Sequence, residues 1–274
     1  MNRIDKKLSD CLANNKKILS PYITAGDPNP KLTVPLMHKL VEAGADILEL
    51  GIPFSDPMAE GPVIQEAMER ALLHNVGCDD VFAMVEEFRE GDKHTPIILM
   101  GYLNPLEQYG YKQFSQRAKQ AGVDGTIIVD LPPEESEAVA PIWQAEDLYG
   151  IYLCSPTTSD ERMVMINRYA KGYLYYVSLK GVTGSNDFER EKVQELYQYR
   201  KSQTHLPLMV GFGIKTAALA ADVAQFADGV IVGAALVGRV FEAYKTSGDP
   251  LEAGASLIKE MRLAMDSTKI HPKE

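Results

Sequence analysis

The 274-residue chain predicts an α/β fold, a (β/α)8 TIM barrel with extra helices, on three observations. Short apolar runs rich in β-branched residues alternate with amphipathic stretches along the whole sequence. Most of these runs are apolar on both faces, as strands of a parallel sheet covered by helices must be. The length suits one such barrel, for which roughly 250 residues is typical, and no long linker or low-complexity tract divides it. One domain spanning 1–274 is therefore expected, with an N-terminal helix or arm at about 1–16 and a polar tail at about 267–274.

The strands are expected at Ile18–Thr24, Ile47–Leu50, Pro96–Met100, Gly125–Val129, Tyr149–Cys154, Leu174–Ser178, Leu208–Gly211 and Gly229–Val232. Between them, apolar residues recur at three- and four-residue spacing, as Val81, Val85 and Phe88 do, which predicts helices. These cover Leu32–Ala43, Val63–His74, Asp79–Arg89, Tyr111–Ala121, Glu134–Glu146, Asp160–Ala170, Phe188–Gln203, Ala217–Phe226 and Ala253–Asp266, and Gly233-Ala234 opens a further helical segment. An internal echo accompanies the rhythm. Ala43-Gly44-Ala45-Asp46, Ala121-Gly122-Val123-Asp124 and Ala227-Asp228 each precede a strand. Each reads as a helix C-cap or turn, a form that αβ turns in general share.

With 45% hydrophobic and 24% charged residues, the composition is that of a soluble globular protein. A net charge of −10 argues against a nucleic acid or anionic membrane as partner, since both demand excess Lys and Arg. A bound phosphate would have to be held by local backbone dipoles. Cys11, Cys78 and Cys154 lack CxxC spacing and read as reduced packing residues of a cytoplasmic protein. The five histidines show no HxxxH or HxH spacing, so no metal site is expected. Met1 to Lys17 has no signal-peptide core, and no run of about 18 apolar residues occurs.

In such a barrel the chemistry sits at the carboxyl ends of strands and in the loops that follow. Glu49 stands there, flanked by Ile47, Leu48 and Leu50. Burial would raise its pKa, the condition for a general acid near neutral pH; a salt bridge to a neighbouring strand would also account for it. The stretch continues as Gly51-Ile52-Pro53-Phe54-Ser55-Asp56-Pro57 and through Glu60-Gly61-Pro62 to Gln65; its loop holds three prolines and two glycines with Asp56 and Glu60 and reads as shaped and not helical, or as a solvated turn. Gly181-Val182-Thr183-Gly184-Ser185 follows the sixth strand and suits a mobile lid. Gly211-Phe212-Gly213 and Gly233-Ala234 end the seventh and eighth strands, where barrels commonly hold phosphate at a helix N-terminus. Tyr22, Tyr102, Tyr175 and Phe212 lie at strand ends and could wall an aromatic pocket, or be core; Trp143 reads as packing.

With these residues in view, the chain resembles the tryptophan synthase alpha chain family nearly end to end. The resemblance is carried by Pro21-Tyr22-Ile23-Thr24-Ala25-Gly26-Asp27-Pro28, the Glu49–Gln65 stretch, Asp130-Leu131-Pro132, Gly181-Val182-Thr183-Gly184 and Gly211-Phe212-Gly213-Ile214, in that order. It implies a lyase that cleaves indole-3-glycerol phosphate to indole and glyceraldehyde 3-phosphate in tryptophan biosynthesis. It also implies no cofactor in this chain and a pyridoxal-phosphate beta chain as partner, in an alpha2-beta2 tetramer. Glu49 and Glu60 would be the catalytic carboxylates. Tyr22, Tyr102, Tyr175, Thr183 and Phe212 would contact substrate, and Gly184, Gly213, Gly233 and Ala234 the phosphate. The family carries aspartate at the Glu60 position, Ser-Arg where Ser178 is followed here by Leu179-Lys180, Gly-Ser at Gly233-Ala234 and glutamine at Val210. Those departures leave two alternatives beside the partnered enzyme: a free-standing indole-releasing lyase, and a weakened subunit that stabilises or regulates its partner.

Overall fold

The computed structural model describes residues 1–177, 187–211 and 213–267, with backbone alone at 187–190. Among the described residues run nine parallel strands: β1 (Ile18–Thr24), β2 (Leu48–Gly51), β3 (Ile97–Gly101), β4 (Gly125–Ile128), β5 (Tyr149–Gly150), β6 (Tyr152–Cys154), β7 (Leu174–Val177), β8 (Leu208–Gly211) and β9 (Gly229–Val232). Their order is β5-β4-β3-β2-β1-β9-β8-β7-β6. The two end members are consecutive pieces of one stretch, joined at Ile151, whose amide bonds the Thr126 carbonyl at 2.9 Å. The sheet is therefore a barrel of eight staves with the fifth in two pieces, as the sequence predicts.

Around it run α1 (Arg3–Ala13), α2 (Pro30–Glu42), α3 (Pro62–Leu73), α4 (Cys78–Gly91), α5 (Leu103–Tyr109), α6 (Tyr111–Ala121), α7 (Ala140–Ala145), α8 (Asp160–Tyr169), α9 (Asp187–Lys201), α10 (Ala217–Ala224), α11 (Ala234–Lys245) and α12 (Pro250–Ser267). Two expectations change. The single helix expected over Glu134–Glu146 is a 3₁₀ segment, Pro133–Ala138, followed by α7. Pro141 lacks the donor a continuous helix needs and its ring would strike the preceding turn, so the α-helix can only start there. Helix α5 was not expected; it is one short piece ended by Gly110 at φ 87°.

Strand alternation sorts the apolar side chains into two clusters. Leu19, Ile23, Leu48, Leu50, Leu99 and Val210 face outward into the helix layer. Ile18, Tyr22, Ile47, Ile98, Ile127, Tyr173, Met209 and Ile231 fill the inside of the barrel. Helix α1 contributes Ile4 and Cys11 to that inner cluster. Asn2 caps the helix and donates to the carbonyls of Asp124 and Asp147, fixing it across the amino-terminal mouth.

The three echoed aspartates share one structural task. Asp46, Asp124 and Asp228 each sit just before a strand, and each carboxylate accepts the backbone N–H at the start of the preceding stave: Leu19 at 3.1 Å, Ile97 at 2.9 Å and Leu208 at 2.9 Å. Each is matched by cations: Lys16 and Arg262 on Asp46, Arg3 and Arg89 on Asp124, Lys201 on Asp228. The motif is a rivet at the amino-terminal face, opposite the end where a barrel does its chemistry. No helix among the described residues is long and apolar enough to cross a membrane.

Candidate active site

Glu49 is placed by strand alternation. Its neighbours Leu48 and Leu50 point outward, so its side chain points into the barrel, level with Tyr22 on β1 and Ile98 on β3. It is completely buried, and among the described residues no cation pairs with it. The salt-bridge alternative is thereby excluded. Its Oε1 accepts from the Tyr173 hydroxyl at 2.7 Å and from the Ser20 hydroxyl at 3.3 Å. Its Oε2 is buried with no hydrogen-bond partner among the described residues. Burial pushes the carboxyl up to about 7, against the two donors, and the nearby Glu60 adds to the rise. An uncharged acid is the natural state of such a group in an apolar barrel.

Glu60 belongs to the shaped loop after β2. The loop is tied down from both sides. The Tyr102 hydroxyl, at the end of β3, accepts from the Ala59 amide at 3.1 Å, and its ring stacks on Phe54 with centroids 5.3 Å apart. Behind Glu60, Gln65 donates its side-chain amide to the Glu60 carbonyl at 2.8 Å, and the Glu60 amide bonds Pro57. Burial alone raises the Glu60 carboxyl to about 7. Burial thus brings both carboxyls into the same range, near neutrality.

Tyrosines surround the pair. Tyr22 is buried and its hydroxyl bonds Thr24 at 3.1 Å; Tyr175 is coupled to both Glu49 and Glu60. Burial lifts Tyr22, Tyr173 and Tyr175 well above the usual phenol range, and Tyr102 to about 12. All four stay neutral at working pH. The glycines ending β2 and β8 have a steric reason. A Cβ built on Gly51 would strike the Tyr22 hydroxyl, and one on Gly211 would strike the Tyr175 hydroxyl.

Of the expected phosphate contacts, Gly213 adopts φ 83° and Gly233 caps α11 without a side-chain bond. The amides of Leu236 and Val237 both bond the Gly233 carbonyl at 2.9 and 3.0 Å. Those of Ala234 and Ala235 therefore precede the first intrahelical bond and have no acceptor inside the helix. Thr183, Gly184 and Phe212 lie outside the described residues. Sequence reasoning missed Tyr173 and Ser20. Tyr173 sits one residue before the β7 run, and an inward hydroxyl on an apolar strand was the available signal for Ser20.

This chain matches the family profile described as tryptophan synthase alpha chain over residues 8–266. It is 66% identical to a tryptophan synthase alpha chain of Legionella pneumophila (strain Lens), covering 97% of this chain and 98% of that one. Identity to the alpha chain of Marinobacter nauticus is 51%, over 97% and 99%. The crystal structure of tryptophan synthase subunit alpha from Legionella pneumophila strain Paris superposes with a TM-score of 0.93 at 63% identity, covering 97% of this chain and 99% of that one. With its barrel, its buried inward glutamate and its likeness to these proteins along nearly its whole length, the chain belongs to the tryptophan synthase alpha chain family.

Proposed function

We propose that Glu49 and Glu60 together carry this family's lyase reaction, the cleavage of indole-3-glycerol phosphate to indole and glyceraldehyde 3-phosphate. The observation behind the assignment is the Glu49 carboxyl: fully buried, raised to about 7, and with one oxygen unpartnered among the described residues. The bond from indole C3 to the glycerol chain breaks readily only after C3 is protonated, because a bare indolyl carbanion leaves poorly. Glu49 supplies that proton from Oε2. Positive charge then spreads to the ring nitrogen, where ionised Glu60 accepts the N1–H bond and stabilises it. As the C–C bond breaks, its electron pair returns to the indole ring. The Glu49 carboxylate takes the proton of the hydroxyl that becomes the aldehyde, which restores the acid. Tyr22, Tyr102 and Tyr175, with Thr183 and Phe212, wall the indole. Gly233 and Ala234, at the α11 N-terminus, hold the phosphate through backbone donors together with Gly184 and Gly213.

On this reading the whole chain works as one domain in the cytoplasm and needs no cofactor of its own. Its partner is a pyridoxal-phosphate beta chain, in an alpha2-beta2 tetramer. The test measures indole release by the chain alone and with a beta chain. Stimulated turnover that Glu49→Gln abolishes, with the fold intact, is the expected result. Near-normal turnover in Glu49→Gln removes Glu49 from the mechanism, and unchanged turnover despite demonstrated binding removes the stimulated-subunit reading.

A further inference from the structure

Barrel interiors are built from layers of branched apolar side chains, and the aliphatic side chains inside this barrel follow that rule. Ile18, Ile47, Ile98, Ile127, Met209 and Ile231 line the interior. Ser20 faces the same space from β1, level with Ile231, and is completely buried. A buried hydroxyl is costly unless it is bonded. Among the described residues Ser20 makes one such bond, donating to Glu49 Oε1.

Tyr173 donates to that same oxygen from the far side of the barrel, while Oε2 receives nothing. A carboxylic acid whose carbonyl oxygen already accepts two O–H bonds carries its proton on the other oxygen. We propose that Ser20 is a positioning residue for Glu49, holding Oε1 jointly with Tyr173 so that Oε2 is the oxygen that bears and delivers the proton. The role rests on the reading of Glu49 as the catalytic acid. The Ser20 contact is the longer and weaker of the two, so it tunes the acid and Tyr173 fixes it.

Among the described residues, the titratable groups that act on Glu49 are Tyr173 just before β7, Tyr175 within it and Glu60 in the loop after β2. The tyrosines remain neutral, so among the described residues Glu60 is the neighbour that titrates in the same range. Both hydroxyls stabilise the charged form, and losing one makes Glu49 a weaker acid.

The experiment has two arms. In the first, the Glu49 carboxyl is titrated by carbon-13 NMR in a Glu60→Gln background, with the signal assigned by its loss in Glu49→Gln. Ser20→Ala is expected to raise the midpoint by about 0.3–1 pH unit, from the net strength of one hydrogen bond, and Ser20→Thr, which keeps the hydroxyl, to restore it. In the second arm, the basic limb of the kcat profile of otherwise unmodified enzyme is expected to move up by the same amount in Ser20→Ala. A midpoint that does not move overturns the Ser20 assignment whatever the chemistry. A midpoint that moves while the kcat limb stays fixed overturns Glu49 as the acid, and with it the catalytic part of the proposal.

Discussion

Replacing Glu49 by glutamine should make this protein more stable while abolishing its chemistry. Glutamine is nearly isosteric with the protonated acid. Its carbonyl oxygen keeps the bonds from Tyr173 and Ser20, and its amide stands where Oε2 has no partner. What it removes is the cost of a buried carboxyl that resists ionisation. In the unfolded chain Glu49 loses its proton near 4.5, whereas in the folded barrel it holds it to about 7. Below 4.5 both states are protonated and the substitution changes little. Between 4.5 and 7 the unfolded chain releases the proton and the folded one does not, so wild-type stability falls as pH rises and levels off above 7. At about 1.4 kcal/mol per tenfold, the full difference is about 3 kcal/mol at pH 8, shrinking to about 1 kcal/mol at pH 5. For a protein of this size that is a rise in Tm of roughly 5 °C at pH 8. Calorimetry or denaturant midpoints for both proteins at pH 5 and pH 8 give the comparison. An advantage for Glu49→Gln that is equal at the two pH values, or a loss at pH 8, would refute the argument that desolvation holds this carboxyl protonated.

The remaining expectations concern the same site and its support. Indole release should follow a bell against pH centred near 7, because the proposed active state needs Glu49 protonated and Glu60 ionised, both raised to about 7. A profile flat from pH 5.5 to 8.5 would contradict it. Glu60→Asp should keep or raise kcat, since the family's shorter carboxylate sits in a loop held by Tyr102 and Gln65; a large fall would mean the site has been rebuilt around the longer side chain. Arg89→Ala should cost about 3–5 kcal/mol in a denaturant titration, because it strips a buried partner from Asp124 and four bonds to the carbonyls of Gly122, Asp92 and Thr95. The surviving folded fraction should retain its kcat, the pair lying at the opposite face from Glu49, and a kcat loss exceeding the loss of folded protein would count against that separation.

Much of this molecule can be read along the chain because its rules are local. A strand buried on both faces must be apolar throughout, and a helix on a barrel must show its stripe; those two periods locate every stave and most helices. Glu49 stands out for the same reason, as a charge where the period demands none. The loop after it announces itself through prolines that fix the backbone. Failures of local reading came where a single residue broke the period, as Pro141 does between the 3₁₀ segment and α7.

Tertiary structure decided what sequence distance conceals. Asp46, Asp124 and Asp228 are visible as an echo, yet their partners Arg262, Arg3 and Lys201 lie 216, 121 and 27 residues away, by the numbering of each pair. Glu49 and Tyr173 are 124 residues apart and meet because closing the barrel sets β2 across from β7. Whether Glu49 is a salt-bridged carboxylate or an isolated acid depends on which side chains share its interior layer, a property of the closed sheet and not of any segment. The chain alone determined that an acid would be buried; closure of the barrel determined that, among the described residues, it would be buried without a cation, with two hydroxyls on one oxygen and none on the other.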